Sequence, residues 1–319
     1  MSRARLILTG AALVLLGPSL AIGAAALSGV GHRWVDILAQ FVGPALFTVG
    51  LIAIAVVGFR LWVAAAATGL TLLVLAVAGW PQWFPPTGTA AVGAPEFSLY
   101  SANVWVGNTD VGAMARSIET ADADIVVLVE VGDTPAGQMD RIVGAYPYRV
   151  TGNRNPGKKG PSRYVFASRW PLRTVQVHAE ELDAHGLVAE TPLGPVTLVG
   201  VHLTRPWPYQ YQWGQIIQAR GLANWRKAYS GPMIFAGDFN SVSSARIGRQ
   251  IQAETGLIPA PGWPGTWHSA MPSPAAMTID QVYRSPDLAL LDRRLGRRNG
   301  SDHRPVITRF TRAAPPPAG

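Results

Sequence analysis

The sequence predicts an α/β domain, a mixed sheet or pair of sheets with helices outside, carried on three transmembrane helices. Three observations lead there. Apolar residues crowd the first 80 positions, the remainder alternates short β-rich runs with helical patterns, and polar residues suited to one chemistry stand where those β-rich runs end.

Residues 6–30, 37–59 and 61–80 are long and nearly free of charge, each close to the ~20 residues a helix needs to cross a bilayer. Arg3 and Arg5 ahead of the first run, with alanines at 24–26, also fit a cleaved signal peptide. Two further spans follow directly, so the first is expected to stay as part of an anchor over residues 1–80. Arg3, Arg5 and Arg60 mark the cytoplasmic side, with Arg33 in the other loop counting against it. Trp80, Trp83 and Phe84 suit an aromatic belt at the outer face. Three crossings then place the C-terminal domain outside a cytoplasmic membrane, in the periplasm or its equivalent.

With 48% hydrophobic and 14% charged residues among 319, an ordinary soluble domain does not describe the whole chain. Residues 81–319 hold 23 Lys and Arg against 18 Asp and Glu. That excess favours anionic partners such as phosphoesters, nucleic acid or lipid head groups without choosing among them. There is no cysteine, which excludes disulfides and thiolate metal sites. No protein partner is implied.

Residues 81–95, rich in Pro, Gly, Thr and Ala, read as a linker. The domain is expected over 96–311, and 312–319 as a disordered tail. β-Rich runs fall at 97–104, 125–130, 163–168, 195–202, 233–238, 279–283 and 305–310. Helical patterns fall at 111–120, 135–143, 209–228 and 243–254. Because hairpin-like and helix-linked connections are mixed, a purely parallel doubly wound sheet fits less well. The basic loop 151–162 is a surface loop or a substrate-facing lid.

The strand ends carry Asn103, Glu130, His202, Asp238 with Asn240, and Asp280; Asp302 and His303 follow in Ser-Asp-His. Each alone has a plain reading: Gly-Asp-x-Asn is also an Asx turn, and a strand-end His is usually structural. If 237–240 is extended, Asp238 and Asn240 point to one side of the backbone. Jointly, carboxylates, two amides and two imidazoles are what a hard, oxygen-preferring metal and an in-line phosphoryl displacement require.

The order Asn103, Glu130, His202-Leu-Thr, Gly237-Asp-Phe-Asn, Thr266-Trp, Ile279-Asp-x-Val and Ser301-Asp-His-Arg-Pro-Val resembles the endonuclease/exonuclease/phosphatase superfamily. The resemblance spans 97–310, and with the three-helix anchor it is similar to a bacterial membrane subgroup that includes a teicoplanin-resistance protein. It implies a DNase I-like four-layer α/β/β/α sandwich with the site at one end of two sheets, and Mg²⁺ or Mn²⁺ as cofactor. Carried over, Glu130 matches the metal-ligand carboxylate, with Asp302 bordering the metal. Asn103 matches the amide supporting metal or phosphate. Asp238 and Asn240 match the pair that orients and deprotonates water. His202 matches the imidazole on the phosphoryl oxygen, and His303 the second imidazole, oriented by Asp280. Arg163 and Tyr164 are the positional candidates for a mid-domain substrate contact. Thr266-Trp267 reads as packing beside the site; His178, His185 and His268 read as structural.

The resulting expectation is a membrane-anchored, metal-dependent phosphoesterase acting on a phosphodiester or phosphoanhydride outside the cytoplasm, with a lipid-linked phosphate slightly favoured. A nuclease acting on DNA or RNA is the alternative; the domain lacks a dense basic stripe with interleaved aromatics. An inactive, membrane-anchored binding protein on the same fold is the third reading.

Overall fold

Near-continuous apolar stretches dictate the first quarter of the chain: α1 (Arg3–Ser28), α2 (Arg33–Leu38), a 3₁₀ turn at Ala39–Phe41, α3 (Val42–Gly58) and α4 (Trp62–Trp83). The structure, a computed structural model, describes residues 2–153, 163–177, 182, 184–206 and 212–315. Three helical stretches, Arg3–Ser28, Arg33–Gly58 and Trp62–Trp83, are long and apolar enough to cross a membrane. They pack on one another through Leu16, Val42, Val49 and Leu75, and leave Val14, Ile54 and Leu73 facing outward. A bundle apolar inside and out is what lipid surroundings require.

The C-terminal domain follows in the order β1 (Glu96–Asn103), α5 (Val111–Ala121), β2 (Ile125–Val131), α6 (Asp133–Ala136), α7 (Met139–Val143), β3 (Tyr148–Asn153), β4 (Arg163–Ser168), β5 (Leu172–Val175) and β6 (Ala184–Thr191). It continues with β7 (Gly194–His202), α8 (Gln212–Ala228), β8 (Met233–Asp238), α9 (Arg246–Thr255), β9 (Ile258–Pro259), β10 (Asp280–Arg284), β11 (Leu288–Leu295) and β12 (Val306–Arg312). Two six-stranded sheets form, β11-β12-β1-β2-β4-β3 and β5-β6-β7-β8-β10-β9. In each, one helix-linked pair is parallel, β1 with β2 and β7 with β8.

Strand alternation sorts the apolar side chains into layers. Leu99, Val127, Leu198, Ile234 and Val282 meet between the sheets. On the outer face of the first sheet, Val126 and Leu128 pack against Met114 and Ile118 of α5 and Ile142 of α7. On the outer face of the second, Val199 and Phe235 pack against Ile216 and Leu222 of α8 and Ile251 of α9. The result is the expected four-layer α/β/β/α sandwich.

Several local expectations are corrected. The helix expected at 135–143 is broken into α6 and α7 by Gly137 and Gln138, where the chain caps and restarts. Residues 81–95 are not a slack linker: α4 runs through Trp83, Arg284 donates to the Pro86 carbonyl, Leu290 N to Thr87 O, and Ala90 pairs with Ala313. β12 extends to Arg312, into the segment expected as a tail. Most of the expected lid, 154–162, lies outside the described residues, as do His178 and the first turn of the helix expected from 209.

Gly237 lies inside β8 at φ +145, where a Cβ would sit 2.0 Å from the Val201 carbonyl oxygen. Gly237→Ala is therefore expected to destabilise the full chain by more than about 3 kcal/mol. Gly194→Ala, at φ +92 with no atom within 4 Å, is expected to cost only about 1–2 kcal/mol. Denaturation in detergent distinguishes them, and equal losses would contradict the close approach at Gly237.

Candidate active site

Which side chains reach the end of the inter-sheet layer is decided two residues at a time. On β7, Val196 and Leu198 face the other sheet, and the same phase reaches His202; on β8, Ile234 and Ala236 lead to Asp238; on β10, Val282 leads back to Asp280. Strand pairing then sets the three ends in a row, His202 opposite Asp238 and Asp238 opposite Asp280. From the facing sheet, Phe97 and Leu99 share their phase with Asn103, whose Nδ2 donates to Asp238 Oδ2 at 3.0 Å.

Glu130 breaks this rule. Val127 and Val129 face the inter-sheet core, so strict alternation would turn Glu130 outward. The register against β4 shifts between Leu128 and Val131, and Glu130 takes φ +56. The bulge re-aims its carboxylate into the cavity. Trp105 and Asn240, also cavity-lining, have positive φ too, at 59° and 47°. Left-handed backbone at three non-glycine residues around one cavity is the concentration of local strain expected at a working site.

The left-handed conformation of Asn240 also corrects the expected extended pair. Asn240 N donates to Asp238 Oδ1 at 2.8 Å, an Asx turn, and Asn240 Nδ2 donates to Leu203 O at 2.9 Å. Both side chains line the cavity nevertheless. His303 completes the cluster: Nδ1 lies 2.9 Å from Asp280 Oδ2, and Nε2 lies 3.9 Å from both Asp238 Oδ2 and Asp302 Oδ1. The cavity holds about 270 Å³ and is walled additionally by Trp105, Arg205 and Trp267, and by Ile37, Gln40 and Phe41 of the anchor.

Not every expected residue stands at the cavity. Asn103, His202 and Asp280 stand behind its wall, Asn103 bonded to Asp238, Asp280 to His303, and His202 with Nε2 3.0 Å from Glu130 Oε1. Arg163 and Tyr164 are elsewhere: Arg163 pairs with Asp133 at 2.7 Å, and Tyr164 is buried between the sheets. Phase explains Tyr164, since on β4 it shares the inward series with Phe166. His185 lies against the Tyr164 ring, and His268 Nδ1 accepts from Ala270 N, both outside the cavity wall.

A profile of the endonuclease/exonuclease/phosphatase family matches residues 100–303. The chain belongs to this family. A comparison with curated protein sequences finds no match. Among solved structures, an endonuclease/exonuclease/phosphatase from Beutenbergia cavernae is similar at 21% identity and a TM-score of 0.55, covering 70% of this chain and 73% of that one. TDP2 from C. elegans is similar at 18% identity and 0.52, covering 68% and 75%. A mannosyl-6-phosphatase from Bacteroides thetaiotaomicron is similar at 14% identity and 0.52, covering 67% and 99%. Likeness at these identities concerns the fold.

In this endonuclease/exonuclease/phosphatase fold the charges at the sheet ends are mutually determined. Burial works against a charged His303, but Asp280, Asp238 and Asp302 outweigh it and hold the imidazole at about 10, above the ordinary 6.5. Burial likewise pushes Glu130 up, and is overcome by the hydrogen bond and charge of His202, with help from Asn103 and His303, which bring it to about 2. Asp238 is pushed above its ordinary range by burial, with Asp280 adding to the rise and the two histidines opposing it.

Among the described residues two groups have ligand atoms close enough to share a metal ion: Glu130, His202 and Asp238, and Asp238, Asp280 and His303. In the second, the His303–Asp280 pair already satisfies itself. The first sets two carboxylates beside the His202 imidazole, with the Asn103 N–H holding Asp238 in place, and its two carboxylate oxygens fit a hard divalent cation. Asp302 belongs to neither group; it lines the cavity and accepts from Trp267 Nε1 at 3.0 Å. Trp267, expected as packing, thus also lines the site. Arg205 was missed, although a basic residue three positions after a strand-end His was a usable signal. The anchor residues carried no such signal.

The His303 shift gives a pH test of stability. A pKa raised from 6.5 to about 10 on folding contributes stability that is complete below pH 6.5 and is lost as pH rises through about 10. The gap in thermal unfolding midpoint between the wild type and His303→Gln is expected to be widest near pH 6 and to close toward pH 10. A gap independent of pH would contradict the charged pair.

Proposed function

We propose that the protein is a membrane-anchored, divalent-metal-dependent phosphoesterase that hydrolyses a phosphodiester or phosphoanhydride outside the cytoplasm. One observation carries this reading: Asn103 and Glu130 from one sheet converge with His202, Asp238 and Asp280 from the other, and His303 is fixed on Asp280 with Nε2 facing Asp238. The direction of the chemistry follows from the donors. Asp238, its Oδ1 already receiving the Asn240 backbone N–H, uses its other oxygen to orient and deprotonate the attacking water. His303 keeps its proton because Asp280 faces Nδ1, so Nε2–H donates to an oxygen of the phosphoryl group as negative charge builds there. Arg205, the one arginine or lysine lining the cavity among the described residues, adds a second fixed positive charge.

Glu130 would hold the cation, Mg²⁺ or Mn²⁺, with Asp302 at its border and the Asn103 amide supporting the site through Asp238; when bound, the ion would neutralise non-bridging oxygens. The Glu130 oxygen that faces His202 cannot serve both, so His202 Nε2 becomes available to the phosphoryl group only when Glu130 takes another partner. Among the described residues one arginine lines this partly open cavity, which supports a compact phosphate head over a polynucleotide, whose binding draws on many cationic contacts.

The full chain in detergent is expected to hydrolyse bis-p-nitrophenyl phosphate with Mg²⁺ or Mn²⁺ and to stop on chelation. Asp238→Asn and His303→Ala are each expected to lower kcat by at least about 100-fold. Retained activity in both would reject these roles. Arg205→Ala is expected to raise KM by about tenfold, one charge-assisted contact, in the same assay; an unchanged KM would remove Arg205 from the site.

A further inference from the structure

Ile37, Gln40 and Phe41 belong to the anchor, yet they line the same cavity as Glu130 and His303. Their placement is built. Asp36 accepts from Arg246 N at 2.7 Å and from Gln212 Nε2, and Arg246 Nη1 donates back to Gly31 O at 2.6 Å. Gln40 Nε2 donates to the carbonyl of Asn240 at 3.2 Å, beside the proposed water-orienting pair. Ala39 packs with Val242 and Ala245 of the C-terminal domain. On the far side, Gln82 at the end of α4 accepts from Ser244 Oγ and Gly262 N.

The depth of this wall follows from length. Arg33–Gly58 is a 26-residue apolar stretch, whereas a helix needs ~20 residues to cross the hydrocarbon core. Within that stretch α3 alone, the 17 residues Val42–Gly58, comes close to this length, so α2 and the 3₁₀ turn, with Ile37 to Phe41, stand ahead of the span at the level of the lipid head groups. A second observation agrees. Among the described residues of the C-terminal domain the exposed tryptophans are Trp105, Trp213 and Trp263. Trp105 lines the cavity, Trp213 follows the Gln212 that holds Asp36, and Trp263 follows the Gly262 that holds Gln82. Trp34 of α2, just ahead of Ile37 in the chain, is exposed as well. Exposed tryptophans next in sequence to the residues that join the domain to the anchor are of the type that settles at a membrane–water interface.

We propose that the active site takes its substrate from the bilayer: a phosphate-bearing amphiphile whose head group enters the cavity while its chain stays in the outer leaflet, with Ile37 and Phe41 as the apolar wall that selects it. This rests on the phosphoesterase reading above and on the three apolar helices crossing a membrane. The anchor is then half of the specificity site, and its side chains discriminate lipid-borne from soluble phosphoesters.

The test uses the full chain in nanodiscs with Mn²⁺ and two diesters alike at phosphorus, hexadecyl and ethyl p-nitrophenyl phosphate. The hexadecyl ester is expected to show a kcat/KM at least tenfold higher. Phe41→Ser is expected to cut that ratio at least fivefold, whereas Phe59→Ser, at the other end of α3, keeps it. Partitioning into the bilayer is the same for both variants, so an unchanged ratio in Phe41→Ser would overturn the proposal. In the wild type, hexadecyl phosphate carrying a diazirine near its phosphate is expected to label residues 37–41, and label found only elsewhere would also overturn it. Equal hydrolysis of both esters rejects the lipid substrate and leaves the phosphoesterase reading standing; hydrolysis of neither rejects both.

Discussion

A buried carboxylate, Asp238, is the constraint around which the sandwich closes. Taking a carboxylate out of water is costly unless it is paired and hydrogen-bonded. Asp238 is satisfied from three directions: by Asn103 of the facing sheet, by the backbone of Asn240 just beyond its own strand, and by the charge of His303 from the segment before β12. Each partner comes from a different part of the chain, so the carboxylate is at ease only when both sheets and their closing segments are in place. The same arrangement aims its remaining lone pairs at the cavity.

That requirement also explains the order of charges. Asp280 beside Asp238 would by itself raise the cost of both, and His303 between them relieves it. Glu130 is set apart, paired with His202 on the other side of the row. The anchor closes the remaining side. Its contacts include hydrogen bonds from Gln40 and Asp36 to the backbone at Asn240 and Arg246 and the packing of Ala39 on Val242 and Ala245, so movement of the anchor wall is felt next to Asp238.

Much of this was legible in the sequence, for a physical reason. Strands with long apolar runs, such as 125–130 and 233–238, declare themselves, and polar residues that end such runs on the inward phase fall naturally at the sheet ends, as Asn103, His202 and Asp238 do. β3, β5, β6, β9 and β11 escaped notice; in β5 and β11 charged residues dilute the pattern, Arg173 in one, and in the other exposed Asp292 and Arg294 with a half-buried Arg293 between them. Glu130 reached the site through a bulge that no local pattern announces. Tyr164, proposed for the site, obeys its strand phase and is buried in the core. The anchor's part in the cavity depends on contacts between positions about 200 residues apart, such as Gln40 with Asn240, which local spacing does not encode.

The central claim is that side chains from two sheets converge on one hollow able to seat a divalent ion. The most direct measurement is a crystal structure of the full chain grown with Mn²⁺, located by its anomalous scattering. The account expects one strong peak at the sheet ends touching the Glu130 carboxylate, and its loss in Glu130→Gln. A peak away from the Glu130 and Asp238 side chains, or one that persists unchanged without the Glu130 carboxylate, would contradict it.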